Sequence, residues 1–356
     1  MDGYAVTTKS LRGASPSHPV TLAVVGSVGP GEPSRLRVGR GEAVRVVTGA
    51  GVPLGADAVV PVESVTVGEQ SIAIGFVPET GSHIYGVGES LRKGALLLSE
   101  GCAMRAQDMG LLIGLGRRRI RVYRRPRVSI VPTGSELTSA SRPKAGKVPE
   151  SHSHVFQRFC ELLGCDAFVL GVVGDEPRRL ERAIRSALSE SDLVLTLGGT
   201  SAGKYDHVVD VVSGMRPEVI IHGLKLDRGR VTGVASVSGK PLLMMPGPIQ
   251  AASNAFFILG TPLIDSIAGR KRGQIEIPCT LTDGWAARMK FGGFLKVVYV
   301  RLRAGNVMEA QPMSGETESI RILTDSDGYF VAPESVTRLE KGSTVRVRLL
   351  PGPLGL

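Results

Sequence analysis

Between residues 127 and 268 the chain alternates short apolar segments with segments of helical periodicity. The apolar segments, each short enough for one buried strand, lie at residues 128–131, 167–173, 192–197 and 241–245. The helical segments lie at residues 154–163, 175–188, 208–215 and 249–268. This order predicts an α/β domain with a doubly wound parallel sheet, whose binding site lies at the carboxyl ends of the strands.

Two of the helical segments carry additional signals. Asp175-Glu176-Pro177 is a typical helix start, with Asp175 as the capping residue, then an acid and a proline in the first turn. In the segment 154–163 the periodicity predicts one buried side, formed by Val155, Phe159, Leu162 and Leu163.

β-Rich sequence flanks this region on both sides. Short Val/Ile segments separated by Gly and Pro predict strands in the first ninety residues, at 22–25, 43–47, 58–62 and 71–77. A helix at 102–114 and a charged strand at 120–123 follow. After a glycine-containing linker at 269–273, a small β-domain is predicted, with strands at 294–302, 328–332 and 344–349.

The composition limits the class of protein. A length of 356 residues suits two to four domains, and the chain has 42% hydrophobic and 21% charged residues, as globular proteins do. Its longest apolar runs fall far short of the ~20 residues of a membrane helix, and no secretory signal is visible. The four cysteines form no CxxC pair, which favours a reduced, cytoplasmic chain.

The net charge of +10 predicts anionic partners. Much of the excess is arginine, concentrated in residues 117–127. Aromatic residues make up only 4% of the chain and none interleaves with this run, whereas single-stranded nucleic acids need aromatic side chains for stacking. We therefore expect a solvated arginine run and a small anionic partner, with no nucleic acid and no membrane.

Polar loops follow four of the predicted strands. They are Thr133-Gly134-Ser135-Glu136, Asp175-Glu176, residues 198–206 (GGTSAGKYD) and Met245-Pro246-Gly247. Glycine-rich turns before helix N-termini offer main-chain N–H groups to oxyanions. Carboxylates of Glu136, Asp175 and Asp206, on neighbouring loops, would hold a divalent cation against such an anion. The alternative is that each acid only caps a helix.

Two further motifs predict other chemistry. Gly198 to Lys204 fits the start of a P-loop, but Tyr205 stands where a Ser or Thr would bind Mg²⁺. A P-loop nucleotide hydrolase stays open as an alternative. His152 and His154 have the spacing of a metal-binding pair, but no further Cys or His lies nearby, which favours a solvent-facing helix start.

Motifs spread over the whole chain together resemble the MoeA family, which includes the gephyrin E domain. The motifs are residues 1–6 (MDGYAV), 45–50 (RVVTGA), 55–60 (GADAVV) with Glu63, Thr133-Gly134-x-Glu136-Leu137, and Gly198-Gly199-x-Ser201-x-Gly203-x-x-Asp206. The α/β domain alone would also fit related adenylyltransferases and competence-associated proteins. The flanking β-domains favour MoeA, and the chain resembles a divergent, archaeal-type member.

The resemblance implies a particular architecture. It implies a β-domain at 1–92, a helical connecting segment at 93–124, a molybdopterin-binding α/β domain at 125–268 and a β-barrel domain at 272–356. It also implies a cytoplasmic homodimer whose cleft uses both subunits, and contact with the molybdopterin adenylyltransferase. Family members carry several dozen residues before the MDGYA motif, so we expect a shortened paralogue or a misassigned start.

The implied activity is insertion of molybdate or tungstate into adenylylated molybdopterin, with release of AMP and help from Mg²⁺ or another divalent cation. Carried over by position, the catalytic candidates are Asp2, Glu136, Asp175 and Asp206, and the last three are also the metal-ligand candidates. The candidates for binding molybdopterin are Thr48, Thr133, Gly134, Gly198, Gly199, Ser201, Gly203, Arg230, Pro246 and Gly247.

Four positions depart from the family pattern. Ser135 replaces an Asp, residues 150–152 (ESH) replace Asp-x-Asn, 227–231 (DRGRV) replace a lysine-rich KPGKP turn, and 246–249 (PGPI) replace PGNP. Asp227 thus stands where a phosphate-binding lysine is expected, with Arg228 and Arg230 as compensating cations. These departures leave a second hypothesis, a non-catalytic paralogue that binds molybdopterin or scaffolds a partner.

Overall fold

The computed structural model describes residues 1–201, 207–271, 275–287, 292–313 and 319–352. It divides the chain into two compact units, Met1–Leu97 and Leu98–Leu356. Among the described residues, no helix is both long and apolar enough to cross a lipid bilayer.

The first unit is built on one six-stranded sheet, in the order β4-β1-β3-β2-β6-β5. Single 3₁₀ turns lie at Thr8–Leu11 and Val62–Ser64. The strands are β1 Gly3–Val6, β2 Val20–Val28, β3 Glu42–Val46, β4 Ala58–Pro61, β5 Thr66–Val67 and β6 Ser71–Ile74.

Strand β1 is buried on both faces, in keeping with its unbroken run of small and apolar residues. Tyr4 and Val6 pack into one hydrophobic cluster, and Ala5 packs into another. At Gly3 a Cβ would lie 2.1 Å from the carbonyl oxygen of Val60, so only glycine fits between the paired strands β1 and β4.

The second unit contains a six-stranded sheet in the order β10-β7-β11-β14-β13-β12. The first four strands in that order are parallel, and β13 and β12 add to the edge in antiparallel register. A separate short pair joins β8 and β9. The strands are β7 Arg127–Pro132, β8 Leu137–Thr138, β9 Val148–Pro149, β10 Asp166–Val169, β11 Leu193–Leu197, β12 Val219–His222, β13 Gly233–Val237 and β14 Lys240–Met245.

Helices cover both faces of this sheet. Side chains alternate along each strand, so that Ile130 and Leu195 pack with α2, α5 and α6, while Val131 and Val194 pack with α3 and α4. A single π-helical turn, Phe256–Gly260, joins α5 to α6. The helices are α1 Ala106–Gly114, α2 His152–Leu162, α3 Pro177–Glu190, α4 Val208–Gly214, α5 Ile249–Ala255, α6 Thr261–Ile267 and α7 Arg321–Thr324.

The C-terminal part of the second unit is a closed five-stranded barrel, β15-β18-β17-β19-β21. Its outer surface packs on the α/β domain, where Phe257 stacks on Tyr329 with ring centroids 5.0 Å apart. The strands are β15 Glu276–Leu281, β16 Trp285–Ala286, β17 Lys296–Arg303, β18 Glu309–Pro312, β19 Gly328–Ala332, β20 Arg338–Leu339 and β21 Thr344–Leu349. The predicted fold class, a doubly wound α/β domain between a β-domain and a β-barrel, is confirmed, whereas the exact domain boundaries stay a prediction.

Some local predictions were wrong. Residues 120–123 form no strand within the described structure. A strand needs a pairing partner, and here Val122 is exposed and the Tyr123 hydroxyl donates to Glu100 instead. The helix predicted from residue 102 begins at Ala106, where Asp108 accepts a hydrogen bond from the main-chain N–H of Arg105.

The buried side of α2 also differs from the prediction. Phe156 and Cys160 are fully buried, whereas Leu162 is 40% exposed. Val155, Phe159 and Leu163 are partly buried against the same cluster. The antiparallel strands β12 and β13 were not predicted. All four residues of β12 are exposed, although it contains the apolar run Val219–Ile221, and β13 interrupts its apolar residues with Gly233 and Ser236.

Candidate functional site

A cleft of about 720 Å³ opens at the carboxyl ends of the parallel strands of the second unit. The lining residues all belong to this unit. They come from the segments 132–137, 148–152, 197–201, 228–231 and 246–248, together with Asp175 and Ala251. Loops that follow different strands meet here because parallel strands bring all their carboxyl ends to one edge of the sheet.

Main-chain hydrogen bonds to strand ends position the first lining loop. The Thr133 N–H and its hydroxyl both donate to the carbonyl oxygen of Leu197, over 2.8 and 3.0 Å. Gly134 N–H donates to Val173 over 3.0 Å. Thr133 and Gly134, both predicted to bind molybdopterin, therefore lie on the edge of the cleft.

Two of the predicted metal ligands line the cleft. Asp175 does not cap α3: its Oδ2 accepts the Ser135 N–H over 2.9 Å, while its own N–H donates to the Ser135 hydroxyl. The N-cap position of α3 is Glu176, which makes no side-chain cap hydrogen bond. The Glu136 carboxylate packs against Gly134: a Cβ added to Gly134 would lie 2.6 Å from Glu136 Oε1. Both side chains thus line the same cleft.

The third predicted metal ligand, Asp206, lies outside the described residues, as do Gly203, Lys204 and Tyr205. Among the described residues, no group of three His, Cys, Asp or Glu side chains has metal-binding geometry. Two carboxylates nevertheless match Mg²⁺, which usually takes one or two protein carboxylates and completes its shell with water and substrate phosphate.

The described residues 198–201 form what we call the glycine loop. Gly198 and Gly199 have φ of +95° and +67°, and a Cβ on Gly198 would lie 2.7 Å from the carbonyl oxygen of Thr133. Gly198 N–H donates to Met245 over 3.0 Å. Ser201 is exposed and lines the cleft, so the loop turns glycine backbone and a hydroxyl toward the cavity.

Residues 227–231, which we call the arginine turn, supply another part of the cleft wall. Arg228 and Arg230 line the cavity, whereas Asp227 does not. His222 links this turn to the glycine loop, since its Nε2 lies 2.9 Å from the carbonyl oxygen of Thr200 and 3.2 Å from that of Val231. With two carbonyl acceptors, Nε2 must carry the proton.

The sequence-based reasoning missed two residues at the cleft. His152 was predicted to face solvent, but it lines the cavity and its Nδ1 lies 3.1 Å from the carbonyl oxygen of Gly247. Glu150 accepts hydrogen bonds from the Ser153 N–H and hydroxyl at the start of α2. The available signal was the family's Asp-x-Asn segment, which residues 150–152 replace. His154 is exposed, and Pro246 and Gly247 line the cleft.

Asp2 and Thr48 lie in the first unit and bind each other. The Thr48 N–H and hydroxyl donate to Asp2 Oδ1 over 2.8 and 3.0 Å, and the terminal ammonium of Met1 donates to the same hydroxyl. The Thr48 main-chain N–H, helped by its hydroxyl, holds the pKa of Asp2 below its usual value. Asp2 is therefore a carboxylate at neutral pH.

Comparison with known proteins shows the family to which this chain belongs. Residues 1–116 match the MoeA N-terminal region (domain I and II), and residues 129–266 match the probable molybdopterin binding domain. The crystal structure of a molybdopterin biosynthesis MoeA protein from Pyrococcus horikoshii superposes with a TM-score of 0.84 at 28% identity, over 99% of this chain and 87% of that one. The chain belongs to the MoeA family.

Full-length relatives share this family. The molybdopterin molybdenumtransferase of Bacillus subtilis is 28% identical, over 98% of this chain and 82% of its own length. Molybdopterin molybdenumtransferase 2 of Mycobacterium tuberculosis is 29% identical, over 98% of this chain and 87% of its own length. In this MoeA chain the cleft lies almost entirely in the region matched by the molybdopterin binding domain.

Proposed function

We propose that this protein inserts molybdate or tungstate into adenylylated molybdopterin, with release of AMP, in the cleft of its α/β domain. Its membership of the MoeA family gives it a role in molybdenum cofactor biosynthesis as a transferase. The observation that carries the proposal is the meeting of glycine backbone, two carboxylates and two arginines in one cleft. These groups suit a phosphate-containing anion and a divalent cation.

Each side of the cleft would have its own task. N–H groups of the glycine loop would bind phosphate oxygens, with Ser201 as a further donor. Glu136, Asp175 and Asp206 would hold Mg²⁺, which when bound neutralises charge on the phosphoanhydride. Arg228 and Arg230 would offset the remaining negative charge. In phosphoryl chemistry, such positioning and charge neutralisation supply most of the catalysis.

The other implied features belong to the same proposal. We propose that the protein acts as a homodimer whose cleft uses both subunits. Asp2 and Thr48, which are hydrogen-bonded to each other, would take part in that site. Contact with the molybdopterin adenylyltransferase would allow direct delivery of the adenylylated substrate. The predicted domains at 1–92, 93–124, 125–268 and 272–356 are part of this proposal.

The second candidate is a non-catalytic molybdopterin-binding or scaffolding paralogue, which the replaced lysine turn favours. The position of the replacement counts against it: Asp227 does not line the cleft, whereas Arg228 and Arg230 do. Two guanidinium groups thus supply the positive charge that the lysine turn would have supplied.

The decisive experiment measures AMP release from adenylylated molybdopterin in the presence of molybdate or tungstate. We expect turnover with Mg²⁺, and Lys204→Ala should reduce it only modestly, because main-chain N–H groups bind the phosphate. Substrate binding without AMP release would support the non-catalytic paralogue. ATP hydrolysis that Lys204→Ala abolishes would support the P-loop alternative instead.

A further inference from the structure

The arginine turn has a backbone conformation that its own residues do not favour. Arg228 has φ of +49°, in the left-handed region. A residue with a side chain persists there only when its surroundings enforce the conformation. The Asp227 N–H donates to the Leu295 carbonyl oxygen over 2.8 Å. The other surroundings considered are three buried polar side chains from α5 and the barrel.

Asn254 on α5 contacts the turn directly. It is 1% exposed, and its Nδ2 donates to the carbonyl oxygens of Asp227 and Arg228, both over 3.1 Å. These two carbonyls belong to the peptide groups on either side of Arg228. One amide therefore holds both peptide groups whose relative rotation defines the conformation of Arg228.

Tyr299 on β17 holds Asn254 in turn. Its hydroxyl, buried against α5, donates to Asn254 Oδ1 over 3.0 Å. Burial raises the pKa of Tyr299 far above its usual value, so the hydroxyl stays protonated and remains a donor. With both N–H groups and the oxygen engaged, the amide of Asn254 has a single favourable orientation.

Gln250, one turn earlier on α5, holds the side chain of Arg228. Gln250 is 5% exposed, and its Oε1 accepts a hydrogen bond from the Arg228 guanidinium. Arg230, at the other end of the turn, is exposed at the cleft. Helix α5 therefore binds the Asp227–Arg228 end of the turn, through the two carbonyl oxygens and the Arg228 side chain. Arg230, at the other end, faces the cavity.

We propose that Asn254 is a positioning residue for anion binding, which sets the direction in which the arginine turn presents the Arg230 guanidinium to the substrate's phosphates. Tyr299 orients the Asn254 amide, so the C-terminal barrel contributes to the cleft although Tyr299 does not line it. This inference rests on the proposed function, in which the cleft binds a phosphate-containing pterin.

The test compares three full-length variants with the wild-type protein. Asn254→Leu keeps the volume but removes the amide, Tyr299→Phe removes only the hydroxyl, and Thr261→Val is the control. Thr261 is 2% exposed on the same helical segment, and its hydroxyl donates to Phe257. The readouts are the Kd of inorganic pyrophosphate, the KM and kcat for AMP release, and the melting temperature.

We expect Asn254→Leu to raise both the pyrophosphate Kd and the KM by about tenfold, with kcat changed less than about threefold because the acids remain in place. Tyr299→Phe should shift the same constants in the same direction by about threefold. Thr261→Val should lower the melting temperature and leave both constants unchanged. If Asn254→Leu does not fold, Asn254→Ala serves in its place, because it also removes the amide and adds no charge.

A double-mutant cycle with Arg230→Gln tests the route of the effect. If Asn254 acts through the turn, Asn254→Leu should change the pyrophosphate Kd less than about twofold in the Arg230→Gln background. Fully additive effects, or an Asn254→Leu protein that binds pyrophosphate like Thr261→Val, would overturn the inference alone. A wild-type protein that neither binds pyrophosphate nor releases AMP would overturn the proposed function, and this inference with it.

Discussion

The two sides of the cleft are held in place by different kinds of contact. On one side, Thr133, Gly134 and Gly198 are bound by main-chain hydrogen bonds to the ends of neighbouring strands. On the other side, the arginine turn also has main-chain hydrogen bonds, such as that from the Asp227 N–H to the Leu295 carbonyl oxygen over 2.8 Å. The buried side chains of Asn254 and Gln250 add further hydrogen bonds to it. Thr133, Gly134 and Gly198, on the first side, fit the motifs that resemble the family's, whereas Ser135 in the same loop and Asp227 in the arginine turn depart from them.

This difference shows what each part of the cleft requires of its own sequence. A loop bound through its backbone requires glycine at particular positions, and Gly198 cannot accept a Cβ without contacting the Thr133 carbonyl. A turn supported by side chains elsewhere can exchange its own residues, provided that the support and the charge are kept. Four experiments, from the largest expected effect to the smallest, test this contrast.

Removal of the divalent cation should have the largest effect on turnover. It should impair the site formed by the carboxylates and leave the arginine turn in place. Chelation with EDTA should lower AMP release by at least about a hundredfold, because a bound cation contributes several kcal/mol of charge stabilisation. Added Mg²⁺ should restore it. Pyrophosphate binding by the arginine turn should fall much less, as calorimetry would show. Full turnover in EDTA would remove the metal from the mechanism.

Asp206→Asn should reduce Mg²⁺-dependent turnover by well over tenfold, about 1.4 kcal/mol or more in the activation barrier. The charge of a metal ligand is lost while the side-chain volume is kept, so the melting temperature should not change. AMP release across a Mg²⁺ titration is the measurement. A variant that releases AMP at the wild-type rate would show that Asp206 is not a ligand.

Gly198→Ala should lower turnover by about tenfold, about 1.4 kcal/mol, because the added Cβ meets the Thr133 carbonyl and φ is +95°. Gly214→Ala is the matched control, since no heavy atom lies within 4 Å of its Cβ position and its φ is not positive. KM, kcat and melting temperature should be compared. Equal behaviour of the two variants would contradict backbone support of the glycine loop.

Asp227→Lys should have the smallest effect, less than about threefold in pyrophosphate affinity. Asp227 does not line the cleft, and the turn is bound through its carbonyl oxygen, which the substitution keeps. Binding titrations at fixed salt would measure this. A tenfold gain in affinity, with an inactive wild-type protein, would show that Asp227 repels the anion and would favour the non-catalytic paralogue.

The local signals in the sequence predicted the α/β domain well where periodicity was strong. The strands β7, β11 and β14 and the helix α3 lie within a few residues of their predicted positions. Residues 120–123 show the limit of prediction from local sequence, because a segment with strand propensity forms a strand only where a pairing partner is available. The hydrogen bonds of His152 and His222 show a second limit, because their ring nitrogens contact carbonyl oxygens 95 and 22 residues away in the sequence.

The sequence by itself determined the order of strands and helices, the glycine positions and the loops that carry the acids. These depend on side-chain periodicity and on backbone conformations that are encoded within a few residues. Only the tertiary structure decided that Asp175 binds Ser135 instead of capping α3, and that Asn254 and Tyr299 support the arginine turn. These contacts join residues 40 or more positions apart for Asp175 and Tyr299, and 27 apart for Asn254. Such contacts depend on the packing of whole elements, which no local pattern contains.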